Sequence, residues 1–130
     1  MFSQLKKAIQ KNNIDTGSLL TEAKNILSED NNHSENQDNW DAAFIAIGFA
    51  NYDTAKAKTV FRSIFNGQWS NGMLPHKLFE KEADASLWQT SSNILSSGIT
   101  VPPMHGFVLW QIYEKAANKE AQLEFLKEMY

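Results

Sequence analysis

Between Trp40 and Asn51 the chain is apolar at nearly every position: Trp40, Ala42, Ala43, Phe44, Ile45, Ala46, Ile47, Phe49 and Ala50 leave almost no polar side around a helical cylinder. A helix of that kind is predicted to be buried on most faces. The segment after it is patterned differently. Asp53 reads as an N-cap, and beyond it Ala57, Val60, Phe61, Ile64 and Phe65 share one stripe while Lys56, Lys58, Thr59 and Arg62 take the other side. That pattern belongs to a surface helix. So short a turn between the two makes them antiparallel neighbours, one inner and one outer.

The same alternation returns towards the C-terminus. Pro102-Pro103 is predicted to open a helix in which Met104, Phe107, Val108, Leu109, Trp110, Ile112 and Tyr113 crowd most of the circumference. After Asn118, the segment 119–130 sets Ala121 or Gln122, Phe125, Leu126 and Met129 on one side, with Glu120, Glu124, Lys127 and Glu128 elsewhere. Two shorter helices are predicted over 2–12 and 18–28, the second with Leu19, Leu20, Ala23, Ile26 and Leu27 at helical spacing. Residues 28–39 carry nothing apolar before Trp40 and read as a polar loop, which has no burial to offset the entropy of ordering. Residues 67–103 read as a long loop region, punctuated by Gly67, Gly72, Pro75 and Gly98, with one further helix around 82–95.

The fold class expected is therefore all-α, a single helical domain over 1–130 built from antiparallel inner and outer helical hairpins. Solenoids repeat such hairpins at a fixed short period. The two clear pairs here are separated by an irregular passage, which fits a ring with long loops at one mouth better. A closed ring of six hairpins needs twelve helices of roughly 12 residues each plus connections, more than the chain contains. The expectation is a partial (α/α)6 toroid. Its inner helices would show apolar flanks to water unless another copy, or the remainder of a longer chain, covers them.

Composition narrows the chemistry. The 130 residues carry a net charge of -3, with no run of Lys or Arg, so no basic field is present to gather phosphates and nucleic acid is not an expected partner. No cysteine is present, which removes thiolate catalysis, disulfides and Cys-ligated zinc. His33 and His105 are isolated from other histidines at ligand spacing, so neither a metal nor another cofactor is expected. The N-terminal residues lack the apolar core of a signal peptide and no run is long enough to span a membrane, so a cytoplasmic location is expected.

Three stretches remain that could carry chemistry. Gln68-Trp69-Ser70-Asn71-Gly72-Met73-Leu74-Pro75-His76 is a turn in which Asn71-Gly72 can reach positive φ and Pro75 stiffens the exit, leaving Gln68, Trp69 and His76 as a stacking ring with polar neighbours. Composition alone favours a plain turn whose Trp69 fills a gap in the core. Trp40-Asp41 places an aromatic face beside a carboxylate that can accept from sugar hydroxyls; by itself, Asp41 is better explained by the helix dipole. Ser97-Gly98-Ile99-Thr100-Val101-Pro102-Pro103 is a stiff, extended entry into a helix, and its plain reading is a helix start.

Taken in order, Trp40-Asp41-Ala42-Ala43-Phe44-Ile45-Ala46, then 68–76, then Ser97-Gly98-Ile99-Thr100 with Pro102-Pro103, resemble glycoside hydrolase family 63 and its bacterial relatives of the mannosylglycerate hydrolase kind. The resemblance runs from about Trp40 to about Ala117. It implies an (α/α)6 toroid and inverting hydrolysis of α-glucosidic or α-mannosidic links. It also implies that Trp40 and Asp41 contact the sugar, while Gln68, Asn71, Gly72 and His76 shape the pocket; Trp69 joins the candidate sugar-binding residues by its aromatic ring in the same turn. Three departures accompany it. Val101 stands where the relatives usually place a glutamine, and Glu35 to Asn39 replace an aromatic-rich approach to Trp40-Asp41. No carboxylate here matches the family's general acid or base, a pair that inverting hydrolysis needs roughly 6.5–9.5 Å apart. The function expected is that of an N-terminal part or truncated relative of such a hydrolase, holding part of a carbohydrate site and no catalytic residue. The competing expectation is a non-catalytic helical interaction module on a degenerate glycosidase scaffold.

Overall fold

The computed structural model describes residues 15–33, 36–81 and 94–129. The helix predicted over 2–12, most of the one predicted around 82–95, and Tyr130 lie outside these. The chain divides into two compact units, residues 1–32 and 33–130.

The first unit contributes helix α1, Thr16–His33. Asp15 starts it, its carboxylate accepting from the Gly17 N–H at 2.9 Å, as an N-cap satisfies one of the four orphan donors of a helix start. The helix continues to His33, through residues 28–33 that composition assigns to a loop. Each residue added to an existing helix gains one backbone hydrogen bond, so a polar tail can extend an established helix that it could not nucleate.

Among the described residues, the second unit contains four α-helices: α2 (Asn39–Ala50), α3 (Thr54–Ser63), α4 (His105–Lys115) and α5 (Lys119–Met129). It is all-α as expected; among the described residues the one ladder of strands is the antiparallel pair β1 (Gln37–Asp38) and β2 (Lys77–Leu78), with Leu78 also bridged to Ser96. Helix α2 ends where the Asn51 side chain donates to the Ile47 carbonyl at 2.9 Å. Asp53 then caps α3 by accepting from the Lys56 N–H at 2.9 Å, and the chain reverses within Asn51 to Asp53. Helix α3 tightens into a 3-10 turn, Ile64–Gly67.

The core forms where α2, α3 and α4 meet, with Phe49, Phe61, Ile64, Val108 and Ile112 almost fully buried. Burying each such side chain contributes about 1.5–3 kcal/mol. Ala42, Ala43, Ala46 and Ala50 put a small-residue face on α2 and Ala57 does the same on α3, which lets the paired helices approach closely. Helix α5 adds Phe125, set edge-on to Phe61 with ring centroids 6.0 Å apart, and an Arg62–Glu128 ion pair joins its end to α3. Asn118 starts α5 by accepting from the Ala121 N–H at 3.1 Å. Of the alternatives Ala121 and Gln122, it is Gln122 that turns inward.

The ends of the helices fix their directions. The Asn39 side chain at the start of α2 reaches towards the Ile64 carbonyl just past α3, and His105 at the start of α4 lies 5.9 Å from the Phe65 ring. Both inner helices thus begin beside the C-terminal end of α3. They run in the same sense, with α3 opposed to them and the end of α5 beside the end of α3. The inner helices also keep uncovered flanks: Phe44, Phe107 and Trp110 are 47%, 53% and 54% exposed. One boundary differs from expectation. Pro102 and Pro103 precede α4 rather than occupying its first turn, because Met104 is its N-cap residue and accepts from the Val108 N–H at 2.9 Å.

Candidate functional site

The first turn of α2 is where the separate stretches of sequence meet. Asp38 caps the helix, its Oδ1 accepting from the Trp40 N–H at 2.9 Å and the Asp41 N–H at 3.3 Å. Its Oδ2 lies 2.8 Å from His76 Nε2 and 3.9 Å from Lys77 Nζ. The Asn39 N–H donates to the His76 carbonyl at 2.8 Å, and Asn39 Nδ2 donates to the Pro75 carbonyl at 2.6 Å. Gln37 Nε2 donates to Asn39 Oδ1 at 2.9 Å. Asn39 retains only 1% exposure, so its amide holds the end of the 68–76 loop against the helix start under conditions where water cannot replace it.

The third stretch is knitted to the same place. The His76 N–H donates to the Ile99 carbonyl at 2.7 Å, and the Ser97 N–H donates to the Lys77 carbonyl at 2.9 Å. Ser97 Oγ accepts from the Lys77 N–H at 3.0 Å and donates to Ile99 O at 3.0 Å. Ser96 Oγ accepts from the Trp69 indole N–H at 2.9 Å. Ser96 and Ser97 are both fully buried; a buried hydroxyl is tolerated when it is hydrogen-bonded. Gly67 lies under this ribbon, and a Cβ on it would collide with the Leu78 side chain.

The residues singled out from sequence fall into two groups. Trp40, Asp41 and His76 are joined through Asp38. Trp40 is half-buried with its ring 5.7 Å from Phe44, whereas Asp41 is exposed. Gln68, Asn71 and Gly72 instead bond within their own loop. Gln68 Nε2 donates to the Gly72 carbonyl at 3.1 Å, and Asn71 Oδ1 accepts from the Met73 N–H at 3.0 Å. Trp69 closes the loop by pairing with Met73 and accepting from the Gly72 N–H. Gly72 has φ 88°, the left-handed conformation that a three-residue loop of this kind requires and that glycine adopts without strain.

Asp38, Asn39 and Ser96 escaped the sequence reading, and Ser97 entered it only within a stretch read as the entry to a helix. Asp38 did carry a signal, an aspartate immediately before a helical apolar run. Asn39 carried none, since its partners Ile64 and Pro75 lie far along the chain. Among the described residues, no three His, Asp or Glu side chains cluster as metal ligands.

A separate open cleft of about 630 Å³ lies where α3, α4 and α5 meet, lined by Phe61, Phe65, His105, Leu109, Leu126 and Met129 among others. Burial there holds the His105 imidazole below its ordinary pKa. None of the sequence-predicted residues line it, and its apolar walls offer too few donors and acceptors for a polyhydroxyl ligand, which needs placed polar groups.

The family model of the mannosylglycerate hydrolase MGH1-like glycoside hydrolase domain matches residues 34–130. The chain belongs to this family. The match takes in α2 to α5 and both strands and leaves α1 outside. The chain is 36% identical over 92 residues to the glucosylglycerate hydrolase of Mycolicibacterium hassiacum, an alignment covering 62% of this chain and 21% of that protein. It is 29% identical over 102 residues to the mannosylglycerate hydrolase of Rubrobacter radiotolerans, covering 70% and 23%. To the mannosylglycerate hydrolase of Thermus thermophilus it is 33% identical over 89 residues, covering 62% and 21%. It therefore spans only about a fifth of the length of these curated relatives. Among the described residues no helix is long and apolar enough to cross a membrane.

Proposed function

We propose that this chain holds part of the sugar-binding surface of a glycoside hydrolase acting on α-glucosidic or α-mannosidic links, and that it has no hydrolytic activity by itself. Trp40 provides an aromatic face and Asp41 an exposed carboxylate for sugar hydroxyls. His76 stands beside them, and Gln68, Trp69, Asn71 and Gly72 form the adjoining rim. The supporting observation is the meeting of the Trp40-Asp41 turn, His76 and Ser97 to Ile99 at the start of an inner helix, together with relatives that are named for hydrolysing glucosylglycerate and mannosylglycerate. An inverting mechanism requires an acid and a base flanking the scissile bond, and the reading assigns neither to a residue of this chain.

Calorimetric titration of the chain with glucosylglycerate and mannosylglycerate tests this. The expected result is saturable binding of one of them, weakened at least tenfold by Asp41→Ala, with no product released on long incubation. Absence of binding to both would refute the saccharide reading, and turnover would refute the inactive part of it.

The exposure of Phe44, Phe107 and Trp110 favours a second reading, a helical module whose inner flanks are covered by another copy or by the rest of a longer chain. Light scattering distinguishes it: a concentration-dependent dimer without sugar binding supports the module.

A further inference from the structure

We propose that Asp38 is a positioning residue of this site, a single carboxylate that sets the tautomer and orientation of His76 while holding the helical turn that carries Trp40 and Asp41. Its consequence for a sugar rests on the saccharide reading above; its geometry does not.

The two oxygens of Asp38 work on opposite sides. Oδ1 accepts the N–H groups of Trp40 and Asp41, the two residues of the proposed sugar contact. Oδ2 meets His76 Nε2 at 2.8 Å, with Lys77 Nζ further off at 3.9 Å. The backbone on both sides is already fixed. Asp38 is paired with Lys77 in the ribbon, and His76 is held by its N–H on Ile99 and its carbonyl on Asn39. Asp38 meets the imidazole ring at Nε2 and so restrains its rotation about the side-chain torsions. The side chains of His76 and Asp38 retain 24% and 21% exposure, so water competes poorly for the contact.

Chemistry then settles the tautomer. An ionised carboxylate only accepts hydrogen bonds, so Nε2 must carry a proton, and the bond of the other ring nitrogen follows from that choice.

Asp38→Asn separates the two duties. Asparagine caps helices about as well as aspartate, so its amide oxygen stays on Trp40 and Asp41 and its NH2 group turns to His76. Nε2 must then accept, which moves the ring proton to Nδ1. Long-range nitrogen–proton NMR on the full chain, at a pH high enough to keep imidazole rings neutral, reads this directly. The expected result is an Nε2–H tautomer in the native chain and an Nδ1–H tautomer in Asp38→Asn, with an unchanged far-UV CD spectrum. Titration with glucosylglycerate and mannosylglycerate should show at least tenfold weaker binding in the variant. The same tautomer in both proteins would overturn the assignment of His76 to Asp38, whether or not sugar binds. A tautomer switch with equal sugar affinity would overturn the positioning role. A tautomer switch in a chain that binds neither sugar would uphold the control of the ring and sink only the saccharide reading on which its consequence rests. Asp38→Ala, which removes both duties, should lose sugar affinity and also lower the unfolding temperature.

Discussion

Replacing Asn39 by alanine should destabilise the second unit far more than loss of one polar side chain would suggest. The native amide is almost fully buried, gives a hydrogen bond to Pro75 O at 2.6 Å and takes one from Gln37 Nε2 at 2.9 Å. Pro75 is itself buried, so its carbonyl would be left without a partner and without water. A buried polar group left unsatisfied costs about 1–3 kcal/mol. The half-buried Gln37 amide can recover part of its loss from solvent, and the Ile64 carbonyl at 3.5 Å was weakly bonded to begin with. The sum expected is about 2–4 kcal/mol. In a unit of this size each kcal/mol lowers the unfolding midpoint by roughly 4–8 °C. Urea unfolding followed by tryptophan fluorescence measures it, with the slope unchanged if only stability moves. Asn39→Asp serves as the chemical control. It keeps an acceptor for Gln37 but sets a carboxylate oxygen against Pro75 O. Its deficit relative to the native chain should therefore shrink at low pH, where the introduced group protonates and can donate. A loss below about 0.5 kcal/mol for Asn39→Ala, the range of ordinary surface substitutions, would refute the claim that this amide joins the helix to the loop.

Gly72→Ala should cost about 1–2 kcal/mol, the penalty of a left-handed backbone for an L-residue, and Gly72→Asn less. No atom lies within 4 Å of the added Cβ, so urea midpoints for the two variants isolate the backbone effect; equal stability of Gly72→Ala and the native chain would contradict the positive φ. For His105, burial holds the folded pKa below its ordinary 6.5. As pH falls through 6.5 the unfolded chain takes up the proton first, so stability declines from that point and stops declining below the folded pKa. Urea midpoints between neutral pH and pH 5 should therefore fall more steeply for the native chain than for His105→Gln, and parallel curves would refute the burial.

The comparison with sequence divides along range. Apolar crowding over 40–50 and the single stripe over 57–65 were enough to pick out a buried helix and its surface partner. The Asp53 cap and the positive φ at Gly72 were also legible. All depend on contacts within a few residues, where spacing and side-chain type decide the outcome. The extension of α1 to His33 was not legible, because a polar tail added to a nucleated helix leaves no periodic mark.

The candidate site was legible as a set of residue types and not as a geometry. Sequence picked out Trp40, Asp41 and His76 separately, and only the tertiary structure joined them, through an aspartate that looked like an ordinary cap. Asn39 gave no warning at all, although its side chain connects Pro75 and the end of α3 to the first turn of α2. The exposure of Phe107 and Trp110 likewise emerged from which flank of α4 the other helices cover. By itself, then, the sequence determined where the paired helices form and which face of each is apolar, since those follow from spacings inside one segment. Which segments meet, and which polar groups are sealed where they meet, was decided by packing between residues tens of positions apart, where burial makes each unmet hydrogen bond costly and no local pattern records the partner.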